Sequence, residues 1–120
     1  MDFRDLKLWK IGISLVEDIY RITRNFPDFE KYGLGSQMQR SAISVVSNIA
    51  EGNGRGSSKE YLKFLYISRG SLMELLAQVE ISRRLNYLSE QDYVDINHKI
   101  SSINKMLNKL IGIIKKKNRE

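Results

Sequence analysis

Along the last third of the chain, apolar side chains recur at alternating intervals of three and four: Tyr93, Ile96, Ile100, Ile103, Leu107, Leu110 and Ile114. That interval holds them on one side of a 3.6-residue helix, as the seam of a bundle requires. Tyr61, Leu65, Ser68, Leu72, Leu75 and Val79 repeat the pattern, as do Met38, Ala42, Val45 and Ile49. No stretch alternates in the strand manner. The only proline, Pro27, disfavours helix at the residue before it and donates nothing within one, so the first segment stops before Asn25-Phe26-Pro27. Gly52 ends the second, and Ser57 or Ser58 caps the third, with Glu60 three residues after Ser57 in a capping-box arrangement. Ser89 opens the fourth in the same way. Helices are therefore predicted over about 5–24, 35–51, 58–85 and 89–116. Short connections make each antiparallel to the one before. The expected fold is all-α: one domain over 1–120, an antiparallel up-down-up-down four-helix bundle.

The first helix has more apolar surface than one core needs. At about 100° per residue, Leu6, Trp9, Ile13, Val16 and Tyr20 form one ridge, and Leu8, Leu15, Ile19 and Ile22 form another. Together they span roughly 200°, about twice the stripe that a surface helix buries. Either the third helix wraps more of it than usual, or a second subunit packs there; Leu8, Leu15, Ile19 and Ile22 are the expected oligomer contacts. In the second helix, Ser41, Ser44 and Ser47 place small side chains away from the apolar row, where another backbone can approach. Arg40 and Glu51 share that side but lie about 16 Å apart in helix rise, too far to pair. Each needs another partner, Glu74 or a neighbouring subunit, unless both are simply solvated.

Composition narrows the chemistry. At 120 residues the chain fits one domain, and its 20 Lys and Arg against 14 Asp and Glu give a formal charge of +6. That charge favours anionic partners, nucleic acid or an acidic protein face, although solubility alone also accounts for it. Zero cysteines exclude disulfides and thiolate metal sites. Met1-Asp2-Phe3-Arg4 lacks the layout of a secretory signal, and no apolar run approaches ~20 residues, so a soluble cytoplasmic protein is expected.

The stretch Gly52-Asn53-Gly54-Arg55-Gly56-Ser57-Ser58-Lys59 superficially resembles a phosphate cradle, but it follows a helix and lacks the Gly-Lys-Ser/Thr ending of a P-loop. A weaker reading has Arg55, Lys59 and Lys63 around the third helix's first amides, holding a backbone phosphate. A plain cap, turn and cap explains the same residues. Lys105, Lys109 and Lys116 fall in one sector opposite the fourth seam, and Lys115, Lys117 and Arg119 carry the charge into the tail. These nine cations are the candidate nucleic-acid contacts, against the alternative of solvated helix faces. His98 projects opposite the seam without a second histidine or a cysteine, so neither a metal site nor a triad can be assembled, and no enzyme activity or cofactor is expected.

The run Ser47-Asn48-Ile49-Ala50-Glu51-Gly52 with Arg55 is the most specific motif. It joins Phe3-x-x-Leu6-x-x-Trp9, Phe26-Pro27-x-x-Glu30-x-Tyr32-Gly33-Leu34, Gln37-x-x-Arg40-Ser41-Ala42-x-Ser44-Val45 and Gly70-Ser71-Leu72-x-Glu74-Leu75. Over nearly its whole length the chain resembles the small bacterial proteins encoded within intervening sequences of 23S rRNA genes, the S23 ribosomal protein family. Their relatives include the accessory variability determinant of diversity-generating retroelements. The resemblance implies a four-helix bundle assembling as a homopentameric barrel with a basic, nucleic-acid-contacting surface. It also implies a possible reverse transcriptase partner in the retroelement branch, or a ribosomal one. It supplies no catalytic residues. Arg40, Ser44, Asn48, Glu51 and Glu74 match the family's polar positions, as interface or as binding site. Val46 stands where relatives often have proline, which favours a straight second helix.

Overall fold

The computed structural model describes residues 2–119. Four helices fill it: α1 (Lys7–Thr23), α2 (Leu34–Gly54), α3 (Ser58–Arg84) and α4 (Glu90–Arg119), with single 3-10 turns at Phe3–Asp5 and Asp28–Glu30. Among the described residues there is no strand. α1 packs on α2 and α4, and α3 packs on the same two, while the diagonal pairs do not meet. Cross-helix bonds fix the directions. Ser41, Ser44 and the Val45 carbonyl of α2 meet Glu74, Ser71 and Ser68 of α3 in descending order. Asp18 and Arg21 of α1 likewise meet Lys99 and Asp92 of α4. The bundle is antiparallel throughout and measures 50 × 24 × 21 Å.

The seams lie where the periodicity places them, with one shift. Ile96, Ile100, Ile103, Leu107, Ile111 and Ile114 line the core from α4, and Leu110 is half-buried. Steps of three and of four from Leu107 fall on opposite sides of the seam line, and the four-residue step is the one that turns inward. On α1 the expectation is overturned. Leu8, Leu15, Ile19 and Ile22 are 5% exposed or less within the single chain, so they have no surface left for a second copy. Within the chain α1 divides its apolar surface between α2 and α4, as each helix of the bundle does between two neighbours, and Leu6, Trp9, Ile13, Val16 and Tyr20 remain half-buried.

The caps follow chemistry visible in the sequence. Ser57 Oγ accepts from the Glu60 amide at 3.1 Å, and Ser89 Oγ accepts from the Asp92 amide at 3.1 Å. α2 does not stop at Gly52, however, but runs on to Gly54. Its end is set by Gly56, whose φ of +77° is the left-handed conformation that closes helices. α4 likewise continues through Lys115–Lys117, where cations offset the negative end of the helix dipole. At the opposite end, Glu30 ties the α1–α2 connection down, accepting from the Leu34 amide at 3.2 Å and from the Tyr87 hydroxyl at 3.0 Å. Burial, and then that bond to Glu30, raise the Tyr87 pKa above the ordinary phenol value.

α1 reaches α2 closely because Gly12 has no side chain: a Cβ there would lie 2.6 Å from Val46 Cγ1. Val46 is a buried, β-branched residue within a helix and has little rotamer freedom to yield. Gly12→Ala is expected to destabilise the protein by about 1 kcal/mol or more through overpacking. In the Val46→Ala background, the same change is expected to be neutral or better, since alanine is the stronger helix former. Chemical denaturation of the four proteins of this cycle measures the coupling.

Candidate nucleic-acid interface

Antiparallel topology brings the end of α2, the start of α3 and the end of α4 to one end of the bundle, together with the start of α1. The segments forming that half, 2–14, 47–70 and 103–119, carry thirteen Lys and Arg against four Asp and Glu. The other half, 15–46 and 71–102, carries seven against nine. A mildly basic composition thus resolves into a strongly basic end and a slightly acidic one.

All nine candidate cations lie in the basic half, and all are exposed. Arg55 closes α2, Lys59 and Lys63 stand in the first two turns of α3, and Lys105, Lys109, Lys115, Lys116, Lys117 and Arg119 descend α4. Lys117 shares a cleft of about 180 Å³ with Gly56, Ser57 and Ser58, so the tail of α4 and the glycine turn form one surface. Aromatic rings hold several cations in place. The Arg55 guanidinium lies 5.0 Å from the Phe64 ring and the Lys63 ammonium 5.8 Å from it, while Arg69 and Lys115 stand 5.1 and 5.9 Å from Tyr66.

The two halves also differ in how their charges are spent. In the slightly acidic half, Arg21, Arg83, Arg84 and Lys99 pair with Asp92, Glu90, Glu80 and Asp18. There the Tyr93 hydroxyl and Arg84 lower the Glu80 pKa below the usual carboxylate range. Of the thirteen cations at the basic end, only Arg4 and Arg55 meet a carboxylate among the described residues, Asp2 at 2.6 Å and Glu51 at 2.7 Å. Hydrogen bonds from Arg4 depress the Asp2 pKa to about 2. Among the described residues the remaining eleven form no ion pair; Arg69 is half-buried and donates to Asn108 Oδ1 at 3.0 Å, and the other ten are exposed at high local density, the arrangement that concentrates polyanions.

The motif residues divide. Glu51 pairs with Arg55 at the basic end, whereas Ser44 meets Ser71 at 2.7 Å and Asn48 donates to the Ser44 carbonyl at 2.8 Å, midway along α2. Glu74 accepts from Ser41 at 2.9 Å and does not pair with Arg40, which meets no carboxylate among the described residues. Sequence reasoning missed Lys7, Lys10 and Arg69, which complete the basic end. The first two lie on the polar side of α1, where solvation explains them equally well. Only the antiparallel return of α4 makes them neighbours of its lysines.

His98 is exposed on α4 beside Asp95 and Lys99. No cluster of three His, Asp or Glu suited to a metal ion occurs among the described residues. No helix is long and apolar enough to cross a membrane.

The 23S rRNA-intervening sequence protein model matches residues 4–109. Among solved structures, a protein of unknown function from the S23 ribosomal protein family of Bacteroides thetaiotaomicron shares the fold. It aligns with a TM-score of 0.82 at 22% identity, covering 93% of this chain and 99% of that one. No match is found among curated proteins. With almost the whole bundle inside the matched segment, the chain belongs to the 23S rRNA-intervening sequence protein family.

Proposed function

We propose that this protein works without catalysis, as a cytoplasmic homo-oligomer, five copies by the family resemblance, that associates with nucleic acid or a ribonucleoprotein through its basic end. The observation that carries this reading is the excess of cations there, nearly all without a carboxylate partner. Such a surface releases counterions from a phosphate backbone when it binds, so affinity falls steeply with salt. The arrangement nearest to a catalytic one argues the same way. Lys99 Nζ lies 2.7 Å from Ser14 Oγ, but it is also 2.6 Å from Asp18 Oδ2. An ammonium committed to a carboxylate donates to the serine and does not take its proton.

Fluorescence anisotropy of labelled structured RNA and duplex DNA over a salt series tests the proposal. Saturable binding that weakens as salt rises supports it, and absence of binding at low salt sinks it. Lys105→Glu with Lys109→Glu is expected to lower affinity at least tenfold in this assay, since each lost phosphate contact removes about 0.9 from the salt slope. Unchanged affinity would remove that ridge from the contact surface.

A second reading, a scaffold that recruits a protein partner, is favoured by Phe29 and Tyr32. These aromatics are 78% and 88% exposed on the braced turn at the other end, where a net negative charge disfavours phosphate. Exposed aromatics held on rigid backbone are the side chains that protein interfaces use as anchors.

A further inference from the structure

We infer that Tyr66 is a stacking platform for an unpaired base, so that the basic end takes single-stranded nucleic acid in preference to duplex. This rests on the nucleic-acid association proposed above and names the form of ligand that surface holds.

Tyr66 stands in the basic half, on the flank of α3 that meets α4. The Arg69 guanidinium lies 5.1 Å from its ring and also donates to Asn108 Oδ1 of α4 at 3.0 Å, while the Lys115 ammonium, from the same helix, lies 5.9 Å from the ring. Two helices thus place a ring, a planar guanidinium, an amide and an ammonium side by side. A guanidinium can only donate, so it takes the oxygen of Asn108 and leaves the amide nitrogen as a donor for the edge of a base. The ring is braced by these neighbours and yet 37% exposed.

Glycine keeps the space above this group clear. A helical side chain covers the surface over the turn before its own Cα, so the residues four after Tyr66 and four after Asn108 would lie over the ring and the amide. Those residues are Gly70 and Gly112, both exposed, and a Cβ at either would meet nothing within 4 Å. Close packing, which demands glycine at positions 12 and 52, does not demand it at these two.

A braced, open ring adds nothing to a duplex contact. Duplex bases are stacked on one another and show only their edges, and its two backbones, with the higher charge density, are held by lysines alone. An unpaired base offers its face, and stacking it on an aromatic ring is favourable for any sequence because every base has a π-face. The Arg69 plane extends the stack, and Lys115 supplies the phosphate contact beside it. Phe64 also has two cations near it, but two residues along a helix turns it to the other side of α3, against Gly52, where it is half-buried.

Anisotropy on the full chain tests the assignment. The probes are a labelled RNA of about twenty nucleotides without self-complementarity, longer than one site, the DNA of the same sequence, and each annealed to its complement. Wild type should bind the single strands more tightly than the duplexes. Tyr66→Ala should weaken both single strands about five- to a hundredfold with an unchanged salt slope, since no phosphate contact is lost, and should move the duplexes by less than about twofold. Tyr66→Leu, which keeps apolar bulk without a π-face, should lose as much, and Tyr66→Phe should bind as wild type does. Circular dichroism should show all three as helical as wild type, because the position is exposed and none of the substitutes breaks a helix. Single-strand affinity that survives Tyr66→Ala and Tyr66→Leu would overturn the platform. So would an equal loss on single strands and duplexes, which would make Tyr66 a support for the cations around it. A wild type that binds no nucleic acid at low salt would overturn the association itself, and the platform with it.

Discussion

Replacing Lys115, Lys116 and Lys117 together by glutamate is expected to lower nucleic-acid affinity at least a hundredfold near 0.1 M salt, and to flatten the salt dependence by about three in slope. The three side chains are exposed on the last turns of α4, and none meets a carboxylate among the described residues. Reversal removes three cations and adds three repelling charges, so the formal excess at this end falls from nine to three. Glutamates at a helix C-terminus oppose its dipole at about 0.3–1 kcal/mol each, so a small loss of stability should accompany the loss of binding. Arg24→Glu with Lys31→Glu, an equally exposed pair at the other end, separates the two effects. If affinity follows total charge, the second variant should weaken binding in proportion. If the basic end is the contact surface, it should matter little. Anisotropy over the same salt series distinguishes them.

Gly52→Ala is expected to destabilise the protein by about 3 kcal/mol, the upper range for overpacking. A Cβ at Gly52 would lie 2.9 Å from Phe64 Cβ, 2.9 Å from Tyr61 Cδ1 and 3.3 Å from the Tyr61 carbonyl oxygen. Two of these atoms belong to α3's backbone or to the root of a side chain, so relief requires α2 and α3 to separate. Gly54→Ala makes the opposite prediction. Nothing lies within 4 Å of that position, and alanine there should stabilise the end of the helix by about 0.5–1 kcal/mol. A glycine stretch that cradled phosphate would behave otherwise: both substitutions would weaken nucleic-acid binding at temperatures where the protein stays folded. Thermal melts together with anisotropy on the two variants decide between packing and cradle.

Helix positions, caps and seams were legible in the sequence because each rests on chemistry local to one helix. Ser57, Ser89 and the spacing from Ile96 to Leu107 need no knowledge of the neighbours. What failed was counting neighbours. Periodicity showed that α1 is apolar over a wide arc, but a helix at a corner of four and a helix at a subunit boundary present the same arc. Only burial of Leu8, Leu15, Ile19 and Ile22 separates them. Gly52 was misread as a helix end for a related reason, since its role lies in Tyr61 and Phe64 across the turn. The candidate cations were each visible. Their convergence on one end, with Lys7, Lys10 and Arg69 among them, is a property of the return path of the chain.

The separation of charge between the two ends also sets how much of a strand one molecule would occupy. A bundle that met a polyanion only with the tip of this end, through Lys115, Lys116 and Lys117, would stand upright on it and present a cross-section of 24 × 21 Å, whereas contact along Lys105 and Lys109, further up the flank of α4, would lay its 50 Å length down. With duplex rising 3.4 Å per base pair, an upright chain spans roughly seven base pairs, and a recumbent one would span about fifteen. In the upright pose twice as many copies would fit along the same nucleic acid, each leaving its slightly acidic, aromatic-bearing end pointing away into solvent.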